Sequence, residues 1–310
     1  MQTYFGTENF PILDFAIVTA GTFDGVHLGH QKILTRLQEN CLKHQGESVV
    51  ITYHPHPRIV LNKDYDLRLL STLDEKIRDL EIFGVQHLLV IPFTAQFSEL
   101  SSEEFIQQIL VEKVNTRQLL IGYDHRFGKN RQGSFNFLKD YTQTYGFEVE
   151  EIPAQQIDEN AISSTKIRTA LLKGEVQTAK EYLGRAYSLT GKVVKGNQLG
   201  RTLGYPTANL EIADVHKLIP ADGVYVVQVT FDNRSYGGLL SIGSNPTVNG
   251  QFRTVEAYLL DFQEDIYDKT LTVHLLHLLR GQQKFAGLPE LVTQMKKDEV
   301  QARKMLFSRK

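Results

Sequence analysis

Residues 16–30 read AIVTAGTFDGVHLGH. Ala16–Ala20 is a short apolar run, the pattern of a buried strand. Gly21, Thr22, Phe23, Asp24 and Gly25 break the run. A helix then opens near His27 and His30, with Ile33, Leu34, Leu37, Cys41 and Leu42 spaced along one face. The N-terminus of a helix presents unpaired N–H groups and the positive end of the dipole, which makes it an anion site. His27 and His30 are three residues apart, so both imidazoles can face one ligand. Gly21 and Gly25 allow close backbone approach. Two imidazoles beside a phosphate can donate to oxygens whose charge grows during phosphoryl transfer. The spacing alone also fits two solvated histidines on an ordinary first turn. A zinc site would need more ligands, and no helix shows His-Glu-x-x-His.

Working outward, the same strand–helix alternation recurs. Apolar runs predict further strands at 49–53, 87–91, 119–122 and 147–152. Thr72 with Glu75, and Ser101 with Glu104, read as capping boxes that open the intervening helices. This order predicts an α/β, Rossmann-like parallel sheet whose ligands bind at the carboxyl ends of its strands. Near Leu183-Gly184-Arg185 the pattern changes. Short strands are expected at 187–194, 207–210, 223–231, 236–242, 254–260 and 270–279, with Asp232-Asn233 as a hairpin turn. Five or six such strands predict a small antiparallel β-barrel, followed by a helix beginning with Leu288, Leu291, Val292 and Met295. The expected domains are 1–184 and 185–310.

Composition bounds the function. The chain has 310 residues, 41% of them hydrophobic, which suits about two globular domains. Lys plus Arg number 34 against 36 Asp plus Glu, a net charge of −2, so no dominant electrostatic grip on nucleic acid or anionic membrane is expected. The single cysteine, Cys41, allows no internal disulfide and suits a reducing compartment. No apolar stretch is long enough for a membrane span, and the N-terminus lacks the marks of a signal peptide. A cytoplasmic protein is expected.

Three further segments carry candidate chemistry. In Ile162-Ser163-Ser164-Thr165-Lys166-Ile167-Arg168, a helix start combines hydroxyls with cations that the dipole would disfavour unless an anion docks there. The segment from Gly122 to Gly133 holds Asp124 and follows the fourth predicted strand, so it reads as a binding loop or a basic surface loop. In the second half, Gly196, Gly200 and Gly204 punctuate a run through Arg201, Pro206, Thr207 and Asn209. The glycines predict a loop without regular structure whose amides could wrap phosphates. Thr207 and Asn209 alternate on a strand, and their neutral oxygens suit Mg²⁺. Glu256 shares its predicted strand face with Tyr258 and Leu260, an unusual place for a carboxylate unless it acts as a general base.

Together these motifs resemble the bacterial bifunctional riboflavin kinase/FMN adenylyltransferase (FAD synthetase) family over nearly the whole chain. Gly-Arg-x-Leu-Gly-x-Pro-Thr-Ala-Asn, at 200–209, is the specific run, and Arg280 with Phe285 also matches. The resemblance implies two activities. In the second half, the γ-phosphate of ATP would pass to riboflavin, giving FMN. Thr207 and Asn209 would hold Mg²⁺, Glu256 would take the hydroxyl proton, and Gly196, Gly200, Arg201, Gly204, Pro206 and Arg280 would contact nucleotide or flavin. In the first half, an FMN phosphate oxygen would attack the α-phosphorus of a second ATP, giving FAD and pyrophosphate. His27 and His30 would stabilise the α-phosphate, with Gly21, Thr22, Phe23, Asp24 and Gly25 around it. Ser164, Thr165 and Arg168 would hold the pyrophosphate, and Asp124 would lie near flavin or adenosine. His125 and Gln282 depart from the usual pattern. Two other readings compete: a different His-x-Gly-His nucleotidyltransferase with a passive barrel, and a nucleotide or flavin sensor without activity.

Overall fold

The computed structural model describes residues 1–61, 66–123, 126–153, 162–196, 198–247 and 250–307. They fall into two compact units, Met1–Ser164 and Thr165–Lys310.

The first unit is built on six parallel strands: β1 (Gln2–Phe5), β2 (Ala16–Ala20), β3 (Glu47–His54), β4 (His87–Pro92), β5 (Thr116–Gly122) and β6 (Glu148–Ile152). Their order in the sheet is β1-β4-β3-β2-β5-β6. The helices are α1 (Leu28–His44), α2 (Pro57–Leu61), α3 (Leu73–Ile82), α4 (Ala95–Ser98), α5 (Ser102–Glu104), which continues as a π-helical stretch Phe105–Val111, and α6 (Phe135–Tyr145). Side chains alternate along each strand, so the sheet buries two cores. Ile17, Val50, Leu88 and Leu120 face Leu34 and Leu37 of α1, whereas Val18, Ile51, Leu89 and Leu119 face Phe105, Ile106 and Ile109. Both expected capping boxes are present, at Thr72/Glu75 and at Ser101/Glu104.

The sheet has one strand more than the five expected, and one helix residue faces the other way. β1 has no signature in the sequence, because Gln-Thr-Tyr-Phe is neither apolar nor alternating; it is an edge strand recruited by β4. Leu42 is 83% exposed, since one step past Cys41 turns a helical residue about 100° off the buried face.

The second unit begins within α7 (Ser164–Leu172), at Thr165, and continues with α8 (Val176–Leu183). The strands β7 (Ser188–Val194), β8 (Ala208–Glu211), β9 (Gly223–Phe231), β10 (Arg234–Thr247), β11 (Gly250–Leu259) and β12 (Thr270–Gly281) close into a barrel in the order β10-β11-β8-β7-β12-β9. Every pairing is antiparallel. Asp232 and Asn233 both take positive φ, 46° and 59°, and form the hairpin between β9 and β10. The one-turn helix α9 (Leu199–Thr202) lies between β7 and β8, and α10 (Leu288–Phe307) closes the chain. Leu288 is exposed, and α10 instead packs Ala302 and Leu306 with Val226, Leu239 and Tyr258.

The expected division at 184/185 and the packing division differ by α7 and α8. In the second unit the Leu171 carbonyl accepts from Ala221 N at 3.0 Å, and Gln177 Nε2 lies 2.7 Å from His277 Nδ1. The compositional change coincides with the end of α8, where Gly184 caps the helix at φ 72°. Among the described residues, no helix is long and apolar enough to cross a membrane.

Candidate active sites

The sheet's strand order reverses at β2, flanked by β3 and β5, and a crevice opens outside the carboxyl end of such a strand. The loop 21–27 occupies that end and leads into α1. Its backbone is unusual: Phe23, Gly25 and Val26 take φ of 47°, 81° and 38°. Two of these are non-glycine, and one is β-branched, so the surroundings must hold the loop in shape. They do so with buried partners. Asp24, 2% exposed, accepts at Oδ1 from Leu70 N (2.9 Å) and Ser71 N (3.2 Å). Ser71 Oγ accepts from Gly25 N at 3.0 Å. The Thr22 carbonyl accepts from Thr52 Oγ1 at 3.2 Å, and Ser164 Oγ donates to the Asp24 carbonyl at 3.2 Å. A side chain on Gly21 would press on the Phe23 ring.

His27 is the N-cap of α1. Its Nδ1 accepts from His30 N at 3.4 Å, and the two imidazoles stack with centroids 3.8 Å apart and planes at 15°. Phe23 lies against His30, with centroids 5.0 Å apart. The structure thus joins Gly21, Thr22, Phe23, Asp24, Gly25, His27, His30 and Ser164 around one helix start. Asp24 is buried, and its Oδ1 braces the loop against Leu70 and Ser71. Thr165 is exposed and Arg168 half-buried on α7, whose buried face is Ile167, Ala170 and Leu171. Asp124 lies outside the described residues. Cys41 is buried, and burial pushes its thiol up to about 11, which suits no nucleophilic role.

The second candidate site lies on the barrel. Thr207 Oγ1 donates to Glu256 Oε2 at 3.1 Å, across 49 residues of sequence. Asn209 pairs directly with Glu256 in the β8–β11 register. Along β11, Val255, Ala257 and Leu259 are buried, while Glu256 and Tyr258 occupy the alternate, half-buried face. Leu260, expected on that face, lies beyond the end of the strand. The glycine run is more ordered than expected, because 199–202 form a helical turn. The Gly200 carbonyl accepts from both Leu203 N (3.1 Å) and Tyr205 N (2.8 Å), and Gly204 takes φ 82°. A Cβ on Gly200 would collide with the Tyr205 carbonyl, and one on Gly196 with the Asn209 amide. Arg201 and Pro206 are exposed, whereas Tyr205 is buried against Tyr258, with ring centroids 5.1 Å apart.

Arg280 has a partner that sequence reasoning missed. Its Nη2 and Nε contact Asp298 Oδ2 of α10 at 2.8 and 3.0 Å, and Gln294 Nε2 donates to Asp298 Oδ1 at 2.8 Å. Phe285 also faces the guanidinium, 5.8 Å from its centroid. An i, i+4 pair such as Gln294 and Asp298 was visible in the sequence, but its link to a strand was not.

The donor set discriminates between metals. Among the described residues, no group of three or more His, Cys, Asp or Glu could hold a metal ion. Thr207 directs its only proton to Glu256, leaving its oxygen lone pairs available beside the Asn209 position. One or two neutral oxygens, completed by phosphates and water, fit Mg²⁺ and not zinc.

Comparison with known proteins agrees with both halves. The FAD synthetase family model matches residues 11–166, and the riboflavin kinase family model matches residues 183–306. The bifunctional riboflavin kinase/FMN adenylyltransferase of Haemophilus influenzae is 36% identical over 312 residues, covering 99% of this chain and 100% of its own. That of Buchnera aphidicola is 37% identical over 286 residues, covering 91% of each. A crystal structure from Streptococcus pneumoniae, described as a macrolide-efflux protein, superposes with a TM-score of 0.88 at 34% identity over 97% of this chain and 98% of that one. The chain belongs to the bifunctional riboflavin kinase/FMN adenylyltransferase family.

Proposed function

We propose that this chain makes FMN and then FAD at two separate sites. On the barrel, the riboflavin 5′-hydroxyl attacks the γ-phosphorus of ATP, its proton passes to Glu256, and FMN and ADP leave. At the sheet, a phosphate oxygen of FMN attacks the α-phosphorus of a second ATP, and FAD and pyrophosphate leave. The observation that carries the reading is the Thr207–Glu256 contact at 3.1 Å with Asn209 opposite, a base beside a cation-ready pair of neutral oxygens. Mg²⁺, when bound by Thr207 and Asn209, would neutralise charge on the nucleotide phosphates. The 196–206 loop supports the same phosphates through its backbone amides, and Arg201, Gly204 and Pro206 line that loop.

At the sheet, His27, His30 and the N–H groups of α1 supply donors aimed at charge developing on the α-phosphate. Ser164, Thr165 and Arg168 suit the departing pyrophosphate. Residues 1–184 are assigned to adenylyl transfer and 185–310 to phosphorylation. The ligands are small molecules, with no nucleic acid or membrane partner, and the setting is the cytoplasm.

One incubation tests this. Purified protein, riboflavin, ATP and Mg²⁺ are sampled over time and the flavins separated by chromatography. FMN rising first and FAD following is the expected result, with both stopped by a chelator. FMN without FAD, even when FMN is supplied directly, overturns the sheet assignment. No flavin product from folded protein overturns the whole reading and favours a sensor.

A further inference from the structure

Lys76 is buried beneath the 21–27 loop, and none of the chemistry above uses it. It lies on α3, one residue after the capping-box Glu75, and is only 7% exposed. Taking an ammonium out of water is costly unless it is paired. Its Nζ donates to Thr52 Oγ1 at 3.4 Å, and Thr52 spends its single proton on the Thr22 carbonyl at 3.2 Å. The result is a donor relay from α3 through β3 to the start of the loop. Burial lowers the Lys76 ammonium to about 8, and the Asp24 carboxylate works against that shift. Leu70 and Ser71 therefore grip the loop at Asp24 and Gly25, and Lys76 reaches Thr22 through Thr52, around the two non-glycine residues with positive φ. A Leu or Met would fill the same space with no desolvation cost, so the charge itself requires an explanation.

We propose that Lys76 is a positioning residue for adenylyl transfer: through Thr52 it holds the 21–27 loop so that its amides and the His27–His30 pair meet the nucleotide phosphates. The proposal rests on the assignment of adenylyl transfer to the sheet.

The test uses the full chain with Lys76→Met, Lys76→Arg and Thr52→Val. Both activities are measured in each protein, alongside thermal melting. Lys76→Met is expected to lower kcat for FAD formation from FMN about tenfold or more, with a smaller change in KM for ATP, because misplaced donors are felt in the transition state. Riboflavin phosphorylation stays unchanged. Thr52→Val gives a smaller loss of the same kind. Lys76→Arg restores most of the rate and alters the pH profile. In the unchanged protein the charged form is present below about 8 and lost as pH rises through that value, so kcat for FAD formation falls on the alkaline side. With guanidinium, that fall moves to higher pH. Folded Lys76→Met protein with unaltered FAD formation overturns the proposal. So does a loss of FAD formation that only tracks a lower melting temperature and a parallel loss of FMN formation. An unchanged protein that makes FMN but no FAD overturns the sheet assignment, and the proposal with it.

Discussion

The two loops proposed to handle phosphate are held in different ways. The 21–27 loop is braced from outside, by Leu70, Ser71 and Thr52, all distant in sequence and buried beneath it. The 198–206 segment is braced mostly from within, by the Gly200 carbonyl and the positive φ of Gly204, with the Tyr205–Tyr258 contact as its anchor. The difference bears on where each site is vulnerable. Around the sheet site, residues distant in sequence set the geometry of the loop. On the barrel, the proposed chemistry is concentrated in Thr207, Asn209 and Glu256.

The sharpest way to break the comparison is Glu256→Gln. Removing the base should lower FMN formation about 10²–10⁴-fold. FAD formation from supplied FMN should persist, as chromatography of the two half-reactions would show. His30→Ala should do the reverse, costing about 10²–10³-fold in FAD formation while FMN still accumulates. If either change removed both activities from folded protein, the two-site scheme would be wrong.

A smaller effect tests the barrel's supports. Asp298→Ala leaves Arg280 without its partly buried counter-charge and should cost about 3 kcal/mol in urea unfolding. The loss should appear in phosphorylation before adenylylation. The smallest expected effect is Thr72→Ala. Losing this N-cap should cost about 1 kcal/mol of stability by thermal melting. It should also lower FAD formation more than FMN formation, because the cap adjoins Leu70 and Ser71. Equal effects on both activities would show that the sheet loop is not braced from α3.

Much of this was legible in the sequence, for local reasons. The capping boxes of Thr72 and Ser101, the hairpin at Asp232-Asn233 and the histidine pair at the start of α1 all involve residues within about four positions of each other. Strand periodicity placed Glu256 and Tyr258 on one face of β11. The glycine run was read as a binding loop, but its helical turn was not, because a single turn leaves no periodic signal.

The sequence alone was enough to read most of the strand–helix order, β1 excepted, and the change from parallel to antiparallel architecture. These follow from backbone preferences and hydrophobic spacing, which act between near neighbours. It took the folded chain to show that Asp24 braces a loop, that Lys76 is buried near it, that Thr207 donates to Glu256, and that Arg280 is held by Asp298. Each of these pairings spans 18 to 52 residues. They exist because closing a sheet or a barrel strips water from polar groups, and each group must then find its partner wherever the fold has brought one.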